Sequence, residues 1–549
     1  MAKKEKILCF APFGFWHLHA LYEIAICYNL QWRGHSFSYV TCDGLFSDCD
    51  MFWEATMGPR PANACAVCQS RVATLLKSCL IPSKGLGTYK PLGADEAART
   101  FSRNLADAAL LDAVYDGYPI GKWVSSSVHT HLRINTIDLR NAKHCATFRS
   151  YIYSGAIAID CIKRMLDDIR PTILLLFNGR LSATRVAMEL AMERGIRVVC
   201  HERGVGKETL LLWENENCLA LSPFARIWKE WGKTPLRKSE VPKVTQWLAD
   251  RACGANLNWN AFSVHGSLGS IGAFLEANKG KRIWCLFTSS TDEIVACPDY
   301  TSVFGTQCRW IEETVAFVRE NPAVALVIRV HPNSGGKNST GRNQDELDYF
   351  QRLRSSLPSN VALVMPDDNV STYSLIDRTD LGLAYCSTVA IEMACRGIRV
   401  LVAARSTWMY CGSIELLTEA ESYPSLLASC AAKAPDTDEE TENRVIGAYR
   451  FAYAYMHRWH IPFPLVRMPN VHSGVLAAKT LDELKPGRHA CLDYTSEVVL
   501  GTRPSVPVST GPVPNGAYRE EIEAVRNALR ALAAGAARES RHMALQSVG

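Results

Sequence analysis

Residues 323–337 read Ala-Val-Ala-Leu-Val-Ile-Arg-Val-His-Pro-Asn-Ser-Gly-Gly-Lys, an apolar run that stops at Arg329, His331 and a polar, glycine-containing loop. Unbroken apolar character, rather than alternation, is what a strand buried on both faces of a parallel sheet requires. The surroundings repeat this signal at helix-length intervals. Upstream, the pattern predicts a strand over residues 282–288 and a helix over 306–319. Downstream it predicts a helix over 345–353, a strand over 361–365, a short helix near Tyr373, a strand over 381–385, a helix over 388–396 and a strand over 399–402. Alternation of this kind predicts a doubly wound α/β domain, whose ligands bind where strands end.

The N-terminal half repeats the plan more loosely. Strands are expected at 7–10 and 37–41 around a helix at 18–32, and strands at 173–177 and 196–200 around a helix at 182–194, preceded by an amphipathic helix at 147–169. The predicted fold class is α/β, with two Rossmann-like doubly wound domains facing a cleft. The expected division is an N-terminal domain at 1–265 with an irregular insertion at about 43–118, and a C-terminal domain at 266–435. A returning helical segment at 436–480 follows, then a linker and C-terminal helix at 481–549. Pro504, Pro507, Pro512 and Pro514 mark that linker as semi-extended.

Composition narrows the function classes. The 549 residues exceed one ordinary core and, at 48% apolar, can bury two. A net charge of +5, from 60 Lys and Arg against 55 Asp and Glu, gives no support to a nucleic-acid partner. No apolar run reaches the roughly 20 residues of a spanning helix, and the apolar start, broken by Pro12 and Gly14, reads as a first strand rather than a signal peptide. Twenty cysteines scattered through predicted strands and helices favour reduced thiols and the cytoplasm.

Three strand-end loops carry candidate chemistry. Arg329, His331, Pro332 and Lys337 form the first, suited to a phosphate through positive charge and loop amides. In the second, Ser387 and Thr388 stand at a predicted helix start and Glu392 lies one turn on, where a carboxylate can accept from a ribose diol. Ser289 and Ser290, in Thr288-Ser-Ser-Thr-Asp-Glu293, belong to the third. Each loop taken alone also reads as ordinary strand termination or helix capping. In the N-terminal half, His17 and His19 follow the first strand and Glu202 follows another; each is a candidate general base. Asn178 and Arg180, after the preceding strand, suit either an acceptor or a helix cap.

These loops, especially Ser387-Thr388 followed by Glu392 and the His331-Pro332 pair, resemble bacterial capsule or surface-polysaccharide glycosyltransferases of the GT-B architecture. The resemblance spans about residues 280–405. It implies a nucleotide-sugar donor on the second domain and a glycan or lipid-linked glycan acceptor on the first. Kdo and sialic-acid transferases use a similar pair of motifs, which favours a CMP-sugar. Teichoic-acid glycerophosphotransferases share the arrangement, nucleotide-sugar 2-epimerases share the two-domain plan, and a noncatalytic glycan-binding scaffold stands as the alternative from a different class.

No Asp-x-Asp pair sits in a sugar-diphosphate context, so no obligatory catalytic metal is expected. Cys42, Cys49, Cys65 and Cys68 form an array that fits either a structural zinc or ordinary thiols. The expected location is the cytoplasm, with peripheral association at the inner membrane allowed by a lipid-linked acceptor, and the C-terminal helix offers a surface for docking or a homo-oligomer.

Overall fold

The first strand, β1 (Lys6–Ala11), is buried from Ile7 to Phe10, and its neighbours explain why. In a computed structural model, residues 4–53, 58–255, 261, 263–336, 341–434, 436–470, 473–509 and 512–546 are described, with backbone alone for 470, 473 and 533–546. β1 joins β2 (Ser36–Thr41), β3 (Ser83–Gly85), β4 (Ile173–Phe177) and β5 (Arg197–Arg203) in a parallel sheet of order 3-2-1-4-5. β6 (Thr209–Glu214) and the short strand Ile461–Pro462 extend the β5 edge antiparallel. The helix His17–Trp32 between β1 and β2 is buried from Leu18 to Leu30, so it forms core as well as crossover.

The second sheet contains β7 (Arg282–Phe287), β8 (Val324–Arg329), β9 (Val361–Val364), β10 (Leu381–Ala384), β11 (Arg399–Val402) and β12 (Glu415–Leu416). All pair in parallel, in the order 9-8-7-10-11-12. In both sheets the order reverses beside the first strand, between β1 and β4 and between β7 and β10. Chains leaving those strands diverge, so a crevice opens at their carboxyl ends.

The chain divides into two compact units. The first comprises Met1–Ala220, Thr291–Cys297 and Trp459–Pro507; the second comprises Leu221–Ser290, Pro298–Arg458 and Val508–Gly549. Each has its own apolar core, with Leu175, Tyr22, Ile26, Phe463 and Leu492 in the first and Trp284, Trp310, Ile328 and Leu401 in the second. Both units are Rossmann-like α/β folds.

Several sequence expectations shift. The break falls at 220/221 rather than 265/266, because helices Ser222–Trp231 and Val241–Cys253 pack with Asp438–Tyr453 and the C-terminal helix. The 43–118 stretch is less irregular than expected, since Ala64–Ser78 and Ala94–Asn104 are helices. Only the first part of 436–480 is helical; Val466–Asn470 and Ser473–Leu476 form a hairpin. The final helix, Ala517–Gln546, docks on its own unit through Glu521, which is fully buried, accepts from Leu236 N (2.8 Å) and pairs with Arg450 (2.5 Å). Among the described residues no helix is long and apolar enough to cross a membrane.

Candidate functional site

At the reversal point of the second unit a pocket is lined by residues from the ends of β7, β8 and β10: Thr288, Arg329, His331, Pro332, Ser387 and Glu392. Parallel register sets this up, because Phe287 stands opposite both Arg329 and Ala384. The loops are then cross-tied. Thr288 Oγ1 accepts from His331 N at 2.8 Å, and His331 Nδ1 accepts from Asn333 N at 3.2 Å. That second bond fixes the imidazole with Nδ1 as acceptor, so a neutral His331 carries its proton on Nε2.

Arg329 is 3% exposed, donates from one terminal nitrogen to Met365 O (2.6 Å), and has a buried Nε with no hydrogen-bond partner. Burial pulls its pKa down to about 10, against the opposing pull of Asp368, so it remains charged at neutral pH. Glu392, 2% exposed, accepts from Arg251 Nε at 2.8 Å through Oε1, while Oε2 is buried without a hydrogen bond. Burial is the largest influence on the Arg251 charge and opposes it, but Glu392, Tyr373 and Tyr455 together outweigh burial and hold the guanidinium above its ordinary pKa. The neighbouring Tyr373 hydroxyl is pushed up by burial and then by Glu392. A buried polar atom left unmatched costs about 1–3 kcal/mol. This wall carries two, one cationic donor and one anionic acceptor.

The structure therefore brings Arg329, His331, Pro332, Ser387 and Glu392 together. Ser289 and Ser290 do not line the pocket: Ser289 N donates to Gln307 Oε1 (2.7 Å), its hydroxyl accepts from Cys386 N (3.1 Å), and Ser290 Oγ accepts from Asn333 Nδ2 (3.4 Å). They brace the loops instead. Thr388 is also outside the lining and makes no side-chain cap; the Ser387 hydroxyl accepts weakly from Val389 N at 3.4 Å. Lys337 lies outside the described residues. Sequence reading missed Arg251 and Tyr373, which arrive from elements other than the strand-end loops. Arg251 sits in the last turn of its helix, a common place for a cation, so no local signal separates it.

The first unit equips its own reversal point differently. Asn178, just past β4, is left-handed (φ +69°), as is Gly179, whose missing side chain makes room for Cys200 Sγ, 2.7 Å from where a Cβ would stand. This turn aims Asn178 Nδ2 at Glu202 Oε2 (2.9 Å) while its Oδ1 accepts from Arg180 N (3.0 Å). Glu202 Oε1 also accepts from Arg203 N at 3.0 Å and lies 3.6 Å from His19 Nε2. Burial raises the Glu202 pKa, opposed by Arg203 and Asn178. Burial, then His201 and Arg203, drives the His19 pKa well down, and its ring lies 3.8 Å from that of Phe177. His19 and Glu202 thus form a pair with a neutral imidazole and a carboxylate readied for a proton. His17 is separate, half-buried against the backbone of Gly474 with its pKa lowered by burial. Arg180 donates to Ser126 Oγ (2.8 Å) and Thr130 Oγ1 (3.0 Å), a bracing role.

The four cysteines are not assembled as ligands: among the described residues no three His, Cys, Asp or Glu side chains are placed to hold a metal ion. Cys65 Sγ accepts from Arg60 at 2.5 Å and Cys42 Sγ from Gly44 N at 3.4 Å. Burial pushes the Cys42 and Cys49 thiols up to about 11 and about 12 and raises Cys68.

No protein-family model and no curated protein matches the chain. Solved structures that match include a Thermosulfurimonas dismutans KpsC β-Kdo 2,4-transferase at 12% identity and TM-score 0.34, covering 57% of this chain and 87% of that one. The spinosyn rhamnosyltransferase SpnG with spinosyn aglycone matches at 14% identity and TM-score 0.26, covering 82% and 97%. A Methanocaldococcus jannaschii UDP-GlcNAc 2-epimerase with UDP-GlcNAc and UDP matches at 10% and 0.26, covering 81% and 97%. At TM-scores this low the likenesses carry no argument, and the two strand orders stand on their own.

Proposed function

We propose that the protein is a glycosyltransferase that moves a sugar from a nucleotide-activated donor, CMP-linked in preference to diphosphate-linked, to a cell-surface glycan or lipid-linked glycan. The observation that supports this reading is the pair of unmatched buried atoms in the second-unit pocket. Arg329 Nε–H suits a phosphate oxygen, and Glu392 Oε2 suits the hydroxyls of a ribose. Of the two guanidinium groups on the described wall, Arg251 is committed to Glu392, so Arg329 is the closer charge match for one phosphate than for two. Peripheral membrane attachment follows only where the acceptor is lipid-linked.

In this reading Glu202, helped by His19, takes the proton of the acceptor hydroxyl as that oxygen bonds to the anomeric carbon. The bond from anomeric carbon to phosphate oxygen breaks, and its electron pair leaves on the phosphate. Arg329 and the Nε2–H of His331 receive that charge, supplying the positive field that a divalent ion supplies elsewhere.

The test is calorimetric titration of CMP, CDP, UDP and GDP into the purified protein, repeated with His331→Ala. Selective CMP binding, weakened at least about tenfold by the substitution, is expected. Selective UDP or GDP binding redirects the donor to a diphosphate sugar. Binding of glycan with no binding of any nucleotide overturns the enzyme reading in favour of a scaffold.

A further inference from the structure

The first unit buries a second acid–base pair that the reading above leaves unused. Glu23, on the helix that carries His19 and four residues beyond it, is 1% exposed and accepts from Tyr39 OH at 2.7 Å through Oε2. Its Oε1 lies 2.9 Å from His201 Nε2, and His201 is fully buried. Ionisable groups this deep are costly unless they are matched or used. Spacing of four residues puts His19 and Glu23 on one helix face, and His201 meets both: its ring centroid is 5.7 Å from that of His19.

Tyr22 completes a triangle, 6.2 Å from the His19 ring and 6.4 Å from the His201 ring. Each corner carries one buried polar atom without a hydrogen-bond partner: His19 Nδ1, the Tyr22 hydroxyl and His201 Nδ1. Three such atoms on three mutually neighbouring rings are improbable as independent defects. A relay through them requires complementary tautomers. Once Glu202 carries the proton, His19 Nε2, 3.6 Å from Glu202 Oε1, can receive it only if the neutral ring holds its own proton on Nδ1, as a donor. With His201 Nε2–H donating to Glu23, its Nδ1 is an acceptor. The Tyr22 hydroxyl is both.

We propose that Tyr22, His201 and Glu23 form an inward proton relay for the His19–Glu202 pair, a role that rests on that pair being the acid–base centre. A proton taken by Glu202 passes to His19 Nε2 as His19 releases Nδ1–H to the Tyr22 hydroxyl through a bridging water. The hydroxyl proton moves in the same way, through a water, to His201 Nδ1, and His201 gives Nε2–H to Glu23. Glu202 ends as carboxylate and Glu23 as carboxylic acid, with one proton moved and none lost. The groups facing this path are Cys9 on β1, Tyr39 on β2, Arg203 on β5, Cys27 on the helix, and Glu208 beyond β5.

Tyr22→Phe is the decisive variant, because it deletes only an unpartnered hydroxyl. A purely structural hydroxyl predicts unchanged turnover and an equal or higher melting temperature. The relay predicts the same intact fold and unchanged donor affinity, but turnover lowered at least about tenfold with a displaced pH–rate limb. Glu23→Gln, which keeps the shape of the carboxylate, is expected to do likewise. Nitrogen-15 NMR of labelled histidines supplies a readout independent of transfer: His19 protonated on Nδ1, His201 on Nε2, and the His19 signals shifted in both variants. The reverse tautomer at either ring, His19 signals unmoved in both variants, or an active enzyme whose Tyr22→Phe form has wild-type turnover and pH profile overturns the relay. An inactive wild type with the expected tautomers and shifts sinks the transfer reading and sustains the relay.

Discussion

The two units use the same arrangement, a parallel sheet whose strand order reverses beside its first strand, and equip the reversal point in opposite ways. In the second unit the wall carries fixed charge: a buried guanidinium with a spare N–H and a carboxylate held by Arg251. In the first unit it carries titratable groups: an imidazole of lowered pKa, a carboxylate of raised pKa, and a second His–Glu pair behind them. Strand order decides where a crevice forms; the residues at the strand ends decide whether its wall is lined by fixed charge or by titratable groups.

The largest effect expected from breaking this contrast is at Arg329. Arg329→Met keeps the buried stem and removes the charge, so nucleotide affinity should fall about 100-fold or more while the melting temperature holds or rises, the loss of an unmatched buried cation offsetting lost hydrogen bonding. Calorimetry and thermal melting check this, and retained affinity would transfer the phosphate role elsewhere. Next is Glu202→Gln, expected to lower turnover about 100-fold or more with donor affinity unchanged, which steady-state kinetics beside calorimetry would separate. A parallel loss of donor binding would erase the division of labour between the units.

The smallest effect is on stability. His19 and His129 are both buried with pKa values lowered by desolvation. Below about pH 6.5 the unfolded chain takes up protons that these folded rings refuse, so their contribution, full above that pH, is lost as pH falls toward the folded values. Each adds a slope of up to about 1.4 kcal/mol per pH unit. Denaturant unfolding of wild type and His19→Gln between pH 7 and about pH 5.5 should show a shallower fall in the variant, and equal slopes would place a proton on His19 in the folded state.

How much of this was legible depended on sequence distance. Strands such as Ile173–Phe177 and Val324–Arg329 announce themselves by continuous apolar runs, and His331 and Ser387, just past strand ends, inherit their positions from them; Glu202, expected after a strand ending at residue 200, lies inside the last residues of β5, paired with Leu211. β6 was overlooked although Leu210 to Trp213 is as apolar as its neighbours, because an antiparallel edge strand breaks the strand–helix rhythm. Arg251 reaches the pocket from a helix that precedes the whole second sheet. Glu23 and His201 were hidden for the opposite reason: they lie inside apolar segments where a polar residue reads as an interruption. Ser289 and Ser290 show that a correct loop does not make every hydroxyl in it a ligand contact.

The first unit recovers its edge strand Ile461–Pro462 and core residues Phe463, Leu465, Val466, Leu484 and Leu492 only after the Leu221–Arg458 part of the chain, most of the second unit, has been written out in sequence. During synthesis, therefore, the earlier-made part of this unit cannot finish folding until its later part is made. Its half-built sheet, with the β6 edge unpaired and the His17–Trp32 helix not yet packed against Leu492, must wait for some 250 further residues to emerge, about 12 to 50 seconds at ordinary elongation rates. Over that interval the growing chain presents an open strand edge and bare apolar surface, the features that make a partly folded chain prone to aggregate.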